Sequence, residues 1–175
     1  IFTDPYRISK RNRWTSPQLD GFAARWRQDA DLKIAVSRLK LKFMASAEAM
    51  LHGDLHTGSI MLTVEDTRVI DPEFAFMGPM GFDVGAVIAN LLLSYFSQDG
   101  HEVRPGERDD YREWILQATH DVWSGFRGKF LALWRAGASG DAYPASLFSD
   151  PAGEAALEAE RQAYMDRLWT DVVGF

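Results

Sequence analysis

"LHGDLHTGSIMLTVEDTRVIDPEFAF", Leu51 to Phe76, decides how the chain is read. Its first part sets His52, Asp54 and His56 at alternate positions beside Gly53 and Gly58. Two short apolar or β-branched runs follow, Ile60 to Val64 and Arg68 to Ile70, joined by Glu65-Asp66-Thr67. That is the pattern of a β-hairpin. A second acidic pair, Asp71 and Glu73, stands just beyond it. An antiparallel pair returns the end of its second strand to the beginning of its first, so the two acidic segments meet at one end. With the turn centred on Asp66, Ser59 is expected near Glu73 and Met61 near Asp71. Three carboxylates brought together repel one another unless a cation sits among them, which favours a hard divalent ion with Asp71 and Glu73 as oxygen ligands. The competing reading is that the three point into separate regions of solvent and only cap turns.

Other chemistries fit the stretch less well. Gly53, Gly58 and Ser59 approximate a phosphate loop, but its lysine is missing and the segment leads into a strand instead of a helix. A dinuclear metallohydrolase needs more imidazoles nearby, and only His101 and His120 remain. No H-E-x-x-H or G-x-S-x-G occurs. What remains is the phosphotransferase pattern: a loop Asp that receives the substrate hydroxyl's proton, then a hairpin, then an Asp on magnesium. Asp54 and Asp71 are 17 residues apart, near what one loop and one short hairpin require.

Composition is compatible with that class. A chain of 175 residues fits one domain or one large lobe, and a hydrophobic share of 46% with 11 Phe, 6 Trp and 5 Tyr is ample for a core. A net charge of -6 disfavours nucleic-acid and anionic-membrane partners. The absence of cysteine excludes disulfides and thiolate zinc sites and agrees with a reducing, cytoplasmic location. No signal peptide or membrane-spanning run is found.

The remainder reads as mostly helical. Ser16 and Pro17 suit the N-cap and first position of a helix. A second helix is expected from Asp31 to Met50, with Leu32, Val36, Leu39, Phe43 and Ala47 at helical spacing. Gly78 to Gly81 is a turn cluster, and Asp83 to Gln98 a helix apolar on nearly all faces and hence buried. The stretch Pro105 to Gly137 predicts a long helix whose stripe of Tyr111, Trp114, Ile115, Ala118, Val122, Trp123, Phe126 and Phe130 faces a core. Trp114, Trp123 and Trp134 are read as core residues. Ser139 to Gly153 reads as a linker and Glu154 to Val172 as a last helix. The basic run Arg7, Lys10, Arg11 and Arg13 reads as a solvated face. The expected fold class is α+β, mainly α.

"HGDLHTGS", with "IDPEFAFMGPMGFDVGAVIANLLLSYFSQ", resembles the kinase-like aminoglycoside and choline phosphotransferases, and among them the 5-methylthioribose kinases. "DPEFAF", Ser59 where the wider superfamily carries Asn, and "RNRWTSPQLD" (Arg11 to Asp20) carry the closer likeness. It covers about residues 1 to 100 strongly and the rest loosely. The resemblance implies the C-terminal (large) lobe of a protein-kinase-like fold with a small catalytic β-hairpin. It also implies transfer of the ATP γ-phosphoryl group to the 1-hydroxyl of 5-methylthioribose, in methionine salvage.

Asp54 then matches the catalytic base that also contacts the sugar. Asp71, Pro72 and Glu73 match the segment that holds magnesium and the ATP phosphates. Ser59 stands in the nucleotide site where Asn would ligate a metal. Asp83 matches a residue that braces the catalytic loop through backbone N–H groups, with a plain helix N-cap as the alternative. His52 is expected to orient the loop. His56 is either a hydrogen-bonding group near the sugar or a half-buried core histidine.

Neither a glycine-rich phosphate loop nor a lysine-bearing strand precedes Asp54. The expectation is therefore a partial phosphotransferase domain over residues 1–175, with the N-terminal nucleotide lobe and the C-terminal end lying outside it. The partner is expected to be a small-molecule substrate, with neither nucleic acid nor membrane involved and a homodimer left as an option. A rival within the superfamily is another sugar, choline or aminoglycoside kinase; outside it, a scaffold lobe that has lost the chemistry. Retention of Asp54, Asp71 and Glu73 favours an enzyme.

Overall fold

The structure is a computed structural model and describes residues 1–137 and 142–175. It is mainly helical, with short strands paired in twos, and divides into two compact units: residues 1–49 with 77–79, and residues 50–76 with 80–175. No described helix is long and apolar enough to cross a membrane.

In the first unit, α1 (Asp20–Gln28) and α2 (Ala30–Ala45) follow a 3-10 turn at Asp4–Tyr6. The expected cap at Ser16 is not formed. Its hydroxyl donates to Asp20 Oδ2 at 3.0 Å, while Asp20 Oδ1 accepts from Trp14 Nε1 at 2.7 Å. The helix begins only at Asp20, after an N-cap Leu19 that makes no side-chain bond.

At α2 the cap is Asp29, whose Oδ1 accepts the Leu32 N–H at 2.8 Å. The helix stops at Ala45 because Ser46 turns extended, and Met50 belongs to strand β1 (Ala49–Leu51), so the expected helix to Met50 is too long. Val36 is buried and the Phe2 and Phe43 rings pack 5.2 Å apart. Arg7 and Arg11 pair with Asp4 on an exposed face.

The second unit contains the hairpin and three long helices. Strands β2 (Ile60–Leu62) and β3 (Thr67–Val69) pair antiparallel, with Ile60 opposite Val69 and Leu62 opposite Thr67. The turn is centred between Val64 and Glu65, not on Asp66. Thr63 fixes it: its N–H donates to Asp66 O at 2.8 Å and its Oγ1 accepts the Asp66 N–H at 2.9 Å. Ser59 therefore meets Ile70, whose N–H it accepts at 3.0 Å, and the expected pairings Ser59–Glu73 and Met61–Asp71 are corrected. Beyond the hairpin, β4 (Phe76–Gly78) pairs with β1, so the expected turn at Gly78 to Gly81 is partly strand.

Helix α3 (Gly81–Ser97) is packed against α4 (Asp109–Ala136) and α5 (Pro151–Gly174). Leu157, Arg161, Met165, Leu168 and Val172 recur every three or four residues along α5 and are all buried. Met165 and Leu168 join Leu131 of α4 in a core closed by Trp123, Phe126, Phe130 and Tyr164. Truncating such a residue to Ala typically costs about 2–5 kcal/mol. Trp123 and Trp134 lie in this aromatic network, whereas Trp114 is exposed and stacks on the equally exposed Tyr111. The expected core stripe of α4 thus holds at Ile115 and its C-terminal half but fails at its first turn. Asp150 caps α5 by accepting the Gly153 N–H at 2.8 Å, and a 3-10 turn at Ala145–Leu147 occupies the expected linker, whose residues 139–141 lie outside the described ones.

Candidate active site

The loop from His52 to Ser59 joins β1 to β2, and its shape follows from backbone groups that cannot be left unpaired. Asp83, in the first turn of α3 and buried, accepts the His52 N–H through Oδ2 at 2.6 Å and the Gly53 N–H through Oδ1 at 3.1 Å. It is not the cap of α3, which is Met80. Gly53 has φ +84°, and a Cβ there would come within 2.3 Å of the Phe74 carbonyl oxygen, so only glycine fits. That requirement escaped the sequence reading, although the H-G-D triplet was its signal.

His52 links loop and hairpin. Its Nε2 lies 2.8 Å from Ile70 O and its Nδ1 accepts the Asp54 N–H at 3.3 Å. These two bonds together require the proton on Nε2, because a carbonyl can only accept and an N–H can only donate. Asp54 then presents a side chain that is 58% exposed, and no Lys or Arg pairs with it among the described residues. His56 is also exposed, which removes its half-core alternative. Its Nδ1 accepts the Gly58 N–H at 3.0 Å, and its Nε2 lies 3.4 Å from Ser59 Oγ and 3.9 Å from Asp54 Oδ2. Ser59 is buried, with its hydroxyl turned into the loop, 3.4 Å from Asp54 O.

Asp71, Pro72 and Glu73 follow β3 and are exposed. Asp71 has φ +65° and is the sole non-glycine residue with positive φ among those described. Aspartate tolerates this conformation better than most residues but not without strain, and such strain concentrates at functional positions. Ile70, immediately before it, is bonded through both backbone groups: N–H to Ser59 O, C=O to His52. The start of the acidic pair is thereby tied to both ends of the Asp54 loop.

Two exposed carboxylates are hard oxygen donors and suit Mg2+. No group of three or more His, Asp or Glu that could hold a metal forms among the described residues, so the expected gathering of Asp54, Asp71 and Glu73 around one cation is not formed. An ion here would have to complete its shell with water or with a bound ligand, which is the usual habit of Mg2+. A cavity of about 520 Å³ in the first unit is lined by Trp14, Phe22 and Trp26 with Arg11, Arg13 and Arg27. It includes no carboxylate and none of the expected site residues, so it offers no base for proton transfer.

Comparison with known proteins finds relatives that match nearly the whole of the chain. The chain is 48% identical over 177 residues to methylthioribose kinase 2 of Oryza sativa subsp. japonica, which it matches over 100% of its own length and 41% of the relative's. It is 46% identical to a methylthioribose kinase of Escherichia coli O45:K1, covering 98% of this chain and 40% of that protein. A Klebsiella pneumoniae methylthioribose kinase is 40% identical, again over 40% of its length. The chain thus spans about two-fifths of the curated relatives it matches. The model of the phosphotransferase enzyme family matches residues 1–128, which include the Asp54 loop, the hairpin, the Asp71–Glu73 pair and the bracing Asp83. By that match the chain belongs to the phosphotransferase enzyme family.

Proposed function

We propose that the whole protein is a kinase that moves the γ-phosphoryl group of ATP to the 1-hydroxyl of 5-methylthioribose, with this chain supplying its large lobe. The observation that carries the reading is the double tie at Ile70, which joins the Asp54 loop to the segment bearing Asp71 and Glu73. The names of the rice and enterobacterial relatives supply the substrate. The share of those relatives that the chain spans leaves ample length for a nucleotide lobe outside it. We place the reaction in the cytoplasm, where ATP is at hand.

In this reading Asp54 takes the proton of the 1-hydroxyl as that oxygen bonds to the γ-phosphorus and the bond to the ADP oxygen breaks. The exposed carboxylate then returns its proton to solvent. His52 holds the Asp54 backbone in place and His56 offers a ring nitrogen to the sugar beside it. Asp71 and Glu73 would hold Mg2+, and Pro72 stiffens the backbone between them. When bound, the ion neutralises charge on the phosphates during transfer. Ser59 fastens the end of the loop from within, at the edge of the nucleotide site.

The test is the whole protein with ATP, magnesium and a panel of 5-methylthioribose, ribose, choline and kanamycin. ATP-dependent product from 5-methylthioribose, far above the others, supports the reading. Comparable turnover of choline or kanamycin, or none with 5-methylthioribose, overturns it.

A further inference from the structure

Asp83 is flanked two residues away on either side by Gly81 and Gly85. On a helix, residues four apart share a face and the residue midway between them lies on the opposite one. The first turns of α3 accordingly have two sides. On one, Asp83 holds the His52 and Gly53 N–H groups. On the other, the last turn of α5 comes to backbone contact. A Cβ on Gly81 would lie 2.8 Å from Asp171 Cβ and 2.9 Å from Val172 N, and one on Gly85 would lie 2.7 Å from Val172 O. The Phe82 and Phe175 rings, 5.6 Å apart and edge to face, close the same junction.

We infer that Gly81 and Gly85 are positioning residues, which seat the last turn of α5 against α3 so that Asp83 clamps the loop of Asp54. The inference rests on the proposed role of that loop for its catalytic consequence, but not for its structural one. Backbone atoms of a packed helix cannot swing aside as the end of a side chain can. A methyl group at either glycine must therefore move one helix relative to the other. Asp83 moves with α3, and its 2.6 Å bond to His52 leaves little slack.

Gly85→Ala, Gly81→Ala and the milder Phe175→Ala, made in the whole protein, test the coupling by hydrogen exchange at the His52 and Gly53 amides. Exchange there should quicken on the order of tenfold in Gly85→Ala, the scale expected for coupling through packed elements. Adding Asp171→Gly to Gly81→Ala removes one of the clashing atoms and should restore part of the protection. Gly128→Ala in α4, where nothing lies within 4 Å of the added methyl, should leave both amides unchanged. Turnover should fall about 10- to 100-fold in Gly85→Ala with KM for ATP little altered, as for a misplaced catalytic group. If Gly85→Ala does not fold, Phe175→Ala carries the same amide readout with a smaller expected change. Unchanged exchange at His52 and Gly53 in folded variants overturns the inference. Quickened exchange with undiminished turnover upholds the clamp and instead overturns the catalytic reading of the Asp54 loop.

Discussion

The imidazole of His52 spans from the Asp54 N–H, at 3.3 Å, to the carbonyl oxygen of Ile70, at 2.8 Å, so one ring fixes both the loop of Asp54 and the residue that precedes Asp71. His52→Ala releases both groups at once while touching neither the nucleotide nor the acceptor. Turnover in the whole protein is expected to fall by about 10- to 100-fold, the scale of a small misplacement in a reacting pair. Steady-state kinetics with KM for ATP near wild type is the check.

The left-handed Asp71 separates function from stability. Asp71→Gly keeps the left-handed backbone but relieves its steric cost, at most about 1–2 kcal/mol for an L-residue, so the variant should be no less stable than wild type. Magnesium-dependent ATP binding should nevertheless weaken sharply, and more than in Glu73→Ala. Thermal melts and nucleotide titrations with and without magnesium read the two effects independently. A variant that binds MgATP normally would remove Asp71 from the metal site.

Gly53 makes the opposite prediction. Gly53→Ala adds a methyl group 2.3 Å from the Phe74 carbonyl and strains a backbone at φ +84°. Strain of that backbone alone is worth about 1–3 kcal/mol, and the clash adds to it. Denaturant unfolding should show the loss, and activity should fall with it.

These positions show how far the sequence could be read. The three long helices and the existence of the hairpin were legible because their periodicity or turn residues are local. The hairpin register was not. Every residue from Met61 to Phe74 is exposed, so neither face of the strands is selected by burial, and the side chains of Thr63 and Asp66, each accepting a backbone N–H within the turn, mark where it lies. The start of α1 was not legible at Ser16, because the helix begins four residues later without any side-chain cap. The acidic and histidine positions stood out by residue type alone, whereas the Gly53–Phe74 approach and the glycine seat for α5 depend on segments that only folding brings together.

The salt-bridge cluster between α4 and α5 gives a pH dependence of known sign. Hydrogen bonds from Arg135 first, then Gln162 and Arg161, hold the Glu158 carboxyl at about 2, well below the usual carboxylate range and against a smaller opposing effect of burial. A carboxylate whose pKa is depressed by folding stabilises the fold above its unfolded pKa, and that stabilisation is lost as the pH falls through the folded value. Stability should therefore decline between about pH 4.5 and about pH 2, and Glu158→Gln should flatten part of that decline. Denaturant midpoints across the range measure it.

The central claim is that Asp54 is the base of a phosphoryl transfer. Asp54→Asn keeps the size and leaves the loop's backbone bonds to His52, His56 and Ser59 in place, but its amide cannot take a hydroxyl proton. Single-turnover phosphorylation of 5-methylthioribose by the whole protein, with ATP affinity measured alongside, tests the claim most directly. The account predicts a loss of about 10² to 10⁴-fold in rate with ATP binding nearly intact. A rate within about threefold of wild type, far short of what general-base catalysis contributes, would contradict it.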